Sequence, residues 1–176
     1  MYERLCVLFN VAAVCSEIAG TQPLDSEEGL RTAAKLYQIA AGAFAYIRDN
    51  SLTATRNDCT FDLYPDTLSL LSCIMLAQAQ EIFYLKSIKD KMRELIVSKL
   101  AAQCSDYYAD AMKSIQNESL KDLQKTWLPV LAGKQALFHA MSEYHKAEHD
   151  NNEKNIGEGL CRLAVNLILY YIPVSD

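Results

Sequence analysis

The sequence predicts an all-α fold built from long antiparallel helices, arranged either as a bundle or as an irregular solenoid of helix pairs. Three observations support this class. The 176 residues include only six glycines and four prolines, and 51% are hydrophobic. Apolar residues recur every three or four positions over long stretches, and no period-two strand pattern is present in the sequence. The connectors between these stretches are short, which brings consecutive helices together as antiparallel neighbours.

The first two helices are predicted in the N-terminal third of the chain. Tyr2–Ala19 has apolar residues at helical spacing, and Gly20 is placed to end that helix in a left-handed cap. Asp25-Ser26-Glu27-Glu28 offers an acidic or hydroxyl cap with a carboxylate three positions on, a capping-box pattern, so a second helix is expected from about residue 26 to residue 48. Its alanines and Gly42 are small enough to let a neighbouring helix approach closely.

A polar loop and two more helices are predicted in the middle of the chain. Residues 49–64 are rich in Asn, Asp, Ser and Thr and form the clearest predicted loop. Pro65 suits the first turn of a third helix, because its fixed φ and missing N–H are tolerated there. That helix is expected to reach about Ile88. A fourth is expected from about Lys89 to Ile115, nearly continuous with the third.

Two further helices complete the predicted fold. A polar break precedes a fifth helix over about residues 123–149, in which Pro129 predicts a kink or a late start. After a loop at residues 150–152, a sixth helix is expected from about residue 153 to residue 171. The apolar stretch 163–174 is shorter than the about 20 residues that a membrane span needs, so a buried helix is the preferred interpretation.

The charge and the cysteines exclude several classes of function. Seventeen basic against 22 acidic side chains give a net charge of −5, whereas nucleic-acid-binding surfaces are usually basic. None of the six cysteines is paired as C-x-x-C, and no secretory signal is visible. Reduced, intracellular thiols are therefore favoured over a disulfide framework.

One motif has the spacing of a metal site. His145 and His149, with Glu148 before the second histidine, match the inverted zincin pattern H-x-x-E-H. No third ligand is recognisable downstream and the segment is dense with charge, so a solvated helix end is preferred over a zinc hydrolase. His139 lies among apolar residues and is expected to pack in the core. With no G-x-S-x-G elbow or phosphate-binding glycine loop, the sequence predicts no catalytic residue, cofactor or metal.

The fourth helix has a wide apolar surface. Its apolar side chains cover an arc of roughly 200°, whereas a helix packed on one side of a core needs about 100°. The arc contains Met92, Ile96, Val97, Leu100, Ala101, Cys104, Tyr107, Tyr108 and Met112. Either the helix is buried on two sides, or part of the arc is a groove for an amphipathic partner helix. Such a groove would present anchors at three- and four-residue spacing, as Ile96 and Leu100 do.

Several short blocks of the sequence carry a resemblance to a known family. The most specific is the Leu-Ala-Gln-Ala-Gln-Glu run at residues 76–81. It is accompanied by Glu28-Gly29-Leu30, Pro65-Asp66-Thr67 and Glu143-Tyr144-His145. From about residue 3 to residue 164 the chain resembles the BRO-type domain of the ALIX family of ESCRT-associated adaptors, and the ALIX branch most of all.

The resemblance implies a tetratricopeptide-like helical domain that acts as an adaptor in endosomal sorting and not as an enzyme. Family members bind the C-terminal amphipathic helix of the polymer-forming ESCRT-III subunit through a hydrophobic patch. Carried over by position, this patch is Phe83, Ile96 and Leu100. We therefore expect an ESCRT-III partner, a role in multivesicular body sorting and membrane scission, and a cytoplasmic protein recruited to endosomes. The alternative is a structural helical fragment without ESCRT-III binding.

The resemblance also implies a domain organisation. Residues 1–176 are expected to form a single, partial BRO-type domain, because the family's domain begins with a long N-terminal part that has no counterpart here. Residues 164–176 differ from the family pattern and form a divergent apolar tail. The resemblance implies no cofactor, no small-molecule substrate and no nucleic-acid partner, and the endosomal membrane is expected to be reached only indirectly.

Overall fold

The computed structural model describes residues 2–54 and 60–171, with the side chains of residues 2–50 and 60–164. These residues form six α-helices and two short 3₁₀ helices, with no strand among them, so the predicted all-α class is confirmed. The α-helices are α1 (Tyr2–Gly20), α2 (Glu27–Ala54), α3 (Pro65–Lys89), α4 (Glu94–Ile115), α5 (Lys121–Asn152) and α6 (Ile156–Tyr171). The 3₁₀ helices are Phe61–Leu63 and Glu118–Leu120.

The helices form an open antiparallel stack. Each packs on its neighbour in the sequence, with α1 mainly against α2 and α6 mainly against α5. Hydrogen bonds join adjacent helices, as where the hydroxyl of Ser72 on α3 donates to the carbonyl of Ala41 on α2 over 3.0 Å. Because the first and last helices lie at opposite ends of the stack, the solenoid of helix pairs describes the fold better than a closed bundle.

Two hydrophobic clusters share α3. One joins α1, α2 and one side of α3, and the other joins the opposite side of α3 to α4 and α5. Ile74 packs against both clusters. α3 is long and apolar enough to cross a membrane by length and composition, but it lies between α2 and α4 at the centre of the stack. Its hydropathy therefore matches the two packed sides of a core helix.

The connector before α2 explains a glycine in its first turn. The hydroxyl of Ser26 caps the helix by accepting a 2.9 Å hydrogen bond from the backbone N–H of Gly29. The cap is thus the predicted hydroxyl of Ser26 and not Asp25, and because the third helical position is Gly29, no glutamate completes a capping box. A Cβ at Gly29 would overlap the carbonyl oxygen of Pro23, so any side chain would displace the connector.

Two predictions about α1 and α2 are corrected. α1 ends at Gly20 as predicted, but no described glycine has a positive φ, so the left-handed cap is wrong. Instead Thr21 continues the backbone pattern by donating to the carbonyls of Glu17 and Ile18. In α2 the small residues Ala33, Ala34, Ala40 and Ala41 are buried, whereas Ala43 is half-buried and Gly42 is exposed with open space around it.

The boundaries in the middle of the chain also differ from the prediction. α2 continues to Ala54, beyond residue 48, and residues 55–59 of the predicted loop lie outside the described residues. α3 begins at Pro65 as expected. However, α3 and α4 are separate helices, because Lys91 has a φ of 49° that breaks the helical path and reverses the chain.

α6 ends at Tyr171 as predicted, whereas its start and both ends of α5 differ from the prediction. α5 begins at Lys121 and contains Pro129 within it, so a late start is wrong. Residues 150–152 form its last turn and not a loop, and the chain turns at Lys154, whose φ is 65°. Asp150 in this turn accepts a 2.8 Å hydrogen bond from Arg162 on α6, a tertiary contact that accompanies the extra turn.

Candidate functional site

The wide apolar arc of α4 divides into two parts. Val97, Ala101, Cys104 and Tyr108 are buried against α3 and α5. Leu100, Tyr107 and Met112 are half-buried at the edge of the same cluster, whereas Met92 and Ile96 are exposed. A buried stripe therefore lies beside an open apolar strip, and the partner groove stays a prediction for the open part.

Helical spacing from the Gln80–Leu100 contact puts Phe83 and Ile96 at about the same level of the α3–α4 pair. The side-chain amide of Gln80 donates a 3.2 Å hydrogen bond to the carbonyl of Leu100, which fixes the level at which the two antiparallel helices meet. Phe83 is about one turn beyond Gln80, and Ile96 is about one turn before Leu100. The two side chains are 37% and 43% exposed, so an apolar surface is open to a partner here.

Basic side chains border this surface. Phe83 also lines a groove of about 230 Å³ between α2 and α3, together with Arg31, Lys35 and Lys86. On the α4 side, Arg93 and Lys99 are exposed beside Ile96. An apolar surface with a basic border suits an amphipathic helix that has acidic residues flanking its apolar face.

The carboxylate of Glu81 joins three helices behind the patch. Both of its oxygens accept hydrogen bonds from the ammonium of Lys134 on α5, at 2.9 and 2.8 Å, and one also accepts the phenol of Tyr108 on α4. Burial raises the pKa of Tyr108, and the charge of Glu81 raises it further, so the phenol stays protonated as a donor. This network braces α4 against α3 and α5.

His145 of the H-x-x-E-H motif is occupied by two protein partners. Its Nδ1 lies 2.6 Å from Oε2 of Glu94, and its Nε2 lies 3.1 Å from the phenol oxygen of Tyr84. Among the described residues no group of His, Cys, Asp and Glu has the arrangement of a metal site. His139 is exposed, so the prediction that it packs in the core is wrong.

The polar residues that organise the site were not assigned roles from the sequence. Gln80 and Glu81 belong to the specific block at residues 76–81, but their partners lie 20 or more residues away. Tyr84, Glu94 and His145 form a second set of this kind. The sequence does place polar side chains on the inward side of otherwise apolar helices. Such residues are expected to be hydrogen-bonded, but their position in the sequence does not show to which partner.

A second apolar cavity lies between α3 and α5. It has a volume of about 450 Å³ and is lined by Leu71, Ile74, Met75, Gln78, Thr126, Trp127, Val130 and Leu131 among the described residues. The side-chain oxygen of Gln78 is buried there and has no hydrogen-bond partner within the part of the chain that the structure describes. Five residues separate Gln78 from Phe83, which is about 140° around the helix, so this cavity and the patch face different directions.

The fold and the site define a class of protein: an open stack of antiparallel helix pairs with an exposed apolar surface, as in helical-repeat interaction modules. The particular family follows from the comparison with known proteins. The model of the BRO1-like domain family matches residues 1–168, and the chain belongs to that family.

The chain is similar to curated proteins of animals and fungi. It is 49% identical over 162 residues to mouse programmed cell death 6-interacting protein, also called ALIX, covering 92% of this chain and 18% of the relative. It is 34% identical over 165 residues to the vacuolar protein-sorting protein bro-1 of Neurospora crassa, covering 93% of this chain and 16% of that protein. The chain thus spans about a fifth or less of the length of these curated relatives.

A solved structure has the same helical arrangement. The chain superposes on the BRO1 domain in the ALIX BRO1–CHMP4C complex with a TM-score of 0.90 and 47% identity. The match covers 96% of this chain and 46% of that one. The helical stack predicted from the resemblance therefore has the fold of the matching part of that BRO1 domain.

Proposed function

We propose that this protein is a non-enzymatic adaptor of the ESCRT pathway that binds the C-terminal amphipathic helix of an ESCRT-III subunit. The binding surface is the patch formed by Phe83, Ile96 and Leu100. The solved BRO1 domain with which it shares 47% identity is in complex with CHMP4C, an ESCRT-III subunit. The observation that carries the proposal is the exposure of Ile96, and of Leu95 beside it, on the helix whose inner face, Val97, Ala101, Cys104 and Tyr108, is buried.

The geometry of the patch suits a helix laid across α3 and α4. The partner's apolar face would cover Phe83 and Ile96, with Leu100 at the base of the surface between the two helices. Anchors of this kind contribute most when they are removed from water at the centre of a contact. Arg93 and Lys99 would lie at the rim, where charges mainly accelerate association with an acidic helix and make it sensitive to salt.

The cellular role that we propose follows from the same relatives. Proteins named for vacuolar sorting and the ALIX group share this domain, which supports a cytoplasmic adaptor recruited to endosomes. Recruitment of an ESCRT-III subunit there would support multivesicular body sorting and membrane scission. No step of this function requires a bond to be made or broken by the domain, so its contribution is binding and positioning.

A binding measurement tests the proposal directly. The probe is a fluorescein-labelled peptide of the C-terminal amphipathic helix of CHMP4C, followed by fluorescence anisotropy. Ile96→Asp should weaken binding about thirtyfold or more, because loss of a central anchor costs about 2 kcal/mol and the new carboxylate would be desolvated. The matched control is Val130→Asp, which places the same charge at an exposed apolar residue on another helix, α5.

The outcomes separate the proposal from its alternative. Binding by the unmodified protein and by Val130→Asp, with loss only in Ile96→Asp, supports the adaptor. Equal binding by all three would remove the patch from the proposal. No binding by a folded, unmodified protein, with folding checked by circular dichroism, would leave the structural helical fragment as the better description.

A further inference from the structure

The first turn of α4 carries an essential part of the patch but has no side-chain cap. Its N-cap residue is Arg93, and no side chain there accepts a hydrogen bond from the free backbone N–H groups. Ile96 is the third residue of this helix. An uncapped first turn that follows a tight reversal at Lys91 needs another contact to hold it in one position.

His145 supplies such a contact from α5. A carboxylate only accepts hydrogen bonds, so Nδ1 of His145 carries the hydrogen that is donated to Glu94, over 2.6 Å. Burial raises the pKa of Tyr84, and the charge of Glu94 raises it further, so the phenol is protonated and can donate to Nε2. The result is a continuous series of hydrogen bonds from Tyr84 through His145 to Glu94, which joins α3, α5 and α4.

Both end residues of this hydrogen-bond series lie close in the sequence to a residue of the patch. Tyr84 directly follows Phe83 on α3, and Glu94 lies two residues before Ile96 on α4. The imidazole side chain is only 12% exposed, so water competes weakly for its hydrogen bonds. The ring of Phe138 packs edge-on against Tyr84, with centroids 5.5 Å apart, and limits the positions that the phenol can take.

We propose that His145 is a positioning residue of the partner-binding patch: by holding Tyr84 and Glu94 together it fixes the first turn of α4 relative to α3. Ile96 is then presented beside Phe83 before the partner arrives. This inference rests on the proposed function, because it names the residue that pre-organises the same surface. Pre-organisation improves affinity by removing the entropy cost of ordering the turn during binding.

Conservative substitutions of His145 distinguish positioning from simple packing. In His145→Asn the side-chain amide nitrogen lies near the Nδ1 position and can donate to Glu94. In His145→Gln the amide lies near the Nε2 position and reaches Tyr84 instead. The two variants remove comparable amounts of hydrogen bonding, but only the first keeps the contact to α4. His139→Ala is the matched control, because His139 is an exposed histidine on the same helix.

The test combines affinity for the labelled CHMP4C peptide with amide hydrogen exchange at residues 94–98 and thermal melting. His145→Ala and His145→Gln should weaken binding about tenfold, the effect of one lost charge-assisted hydrogen bond, and should speed exchange in the first turn of α4. His145→Asn should restore most of the affinity and the protection. His139→Ala should match the unmodified protein in all three measurements.

Failure of this inference differs from failure of the proposed function. If His145→Ala binds like the unmodified protein while Ile96→Asp does not bind, the patch stands and the positioning role is wrong. If the Asn and Gln variants lose affinity equally and in step with their melting temperatures, His145 is only a packing residue and the inference falls. If the unmodified protein does not bind the peptide, the proposed function and this inference fall together.

Discussion

The side-chain amide of Gln80 donates a 3.2 Å hydrogen bond to the backbone carbonyl of Leu100. This contact joins α3 to α4 in the middle of the proposed patch and determines which residues of the two helices face outward at the same level. A shift of one residue would rotate Ile96 by about 100° around α4 and remove it from Phe83. The alignment of the apolar surface thus depends on a polar contact.

Ile96 and Leu100 should respond differently to the same substitution. Leu100 is half-buried against the cluster formed by α3, α4 and α5, whereas Ile96 is exposed. Leu100→Asp should therefore lower the free energy of unfolding by roughly 1–3 kcal/mol, because a carboxylate is moved out of water, while Ile96→Asp should change it little. Urea unfolding of both variants checks this. If both substitutions lowered the free energy of unfolding by the same amount, roughly 1–3 kcal/mol, Ile96 would be a core residue and the patch would have no support.

The pair formed by Glu81 and Lys134 should show a measurable coupling energy. Lys134→Ala leaves the half-buried carboxylate of Glu81 with the phenol of Tyr108 but without its cation. We expect a loss of about 1–2 kcal/mol, less than for a fully buried pair because Lys134 is partly exposed. In Glu81→Gln the charge is absent, so the further change Lys134→Ala should cost much less. Urea unfolding of the four proteins gives the double-mutant cycle, and strictly additive effects would show that the pair is not coupled.

The contact between α5 and α6 should weaken in acid. Burial opposes ionisation of Glu143, but hydrogen bonds and charge from Lys146 and Arg162 outweigh it and hold the pKa of its carboxyl below the ordinary value. A carboxyl with a lowered pKa adds stability above its unfolded pKa of about 4.3, and this stability is lost as the pH falls through the lower, folded value. Glu143→Gln should therefore be less stable than the unmodified protein at pH 7, with the difference shrinking below about pH 4.

Thermal melting between pH 3 and pH 7 measures this effect of Glu143→Gln. Glu3→Gln, at an exposed position on α1, serves as the control for loss of one acidic charge. A stability difference for Glu143→Gln that stays constant down to pH 3 would show that the carboxylate's ionisation is not what holds α6 to α5.

Deletion of residues 163–176 should increase the soluble yield of the chain. Residues 167–172 form an uncharged run of high β-propensity, a composition typical of aggregation-prone segments. The side chains from residue 165 onward lie outside the described residues, although α6 extends to Tyr171. The deletion keeps Arg162 and its contacts to Glu143 and Asp150. A lower soluble yield after the deletion would identify the tail as an integral part of the core.

Elements with local signals could be predicted from the sequence alone. The spacing of apolar residues and the scarcity of glycine and proline indicated long helices, and Pro65 marked the start of α3. These features act through backbone conformation within one or two turns, so they can be read from neighbouring residues alone. The resemblance at residues 76–81 likewise led to the BRO1-like domain family, which is shown by the match over residues 1–168.

The tertiary structure decided which part of each helix surface is covered and which polar groups meet. Periodicity showed a wide apolar arc on α4, but only the positions of α3 and α5 determine that Val97 is buried and Ile96 is open. The spacing of His145 matches a metal motif and its charged surroundings indicate a solvated helix end, whereas its partners are Glu94 and Tyr84, 51 and 61 residues away. A hydrogen bond depends on distances of about 3 Å between atoms. Such distances are set by how whole helices pack, and the sequence around each residue does not contain that information.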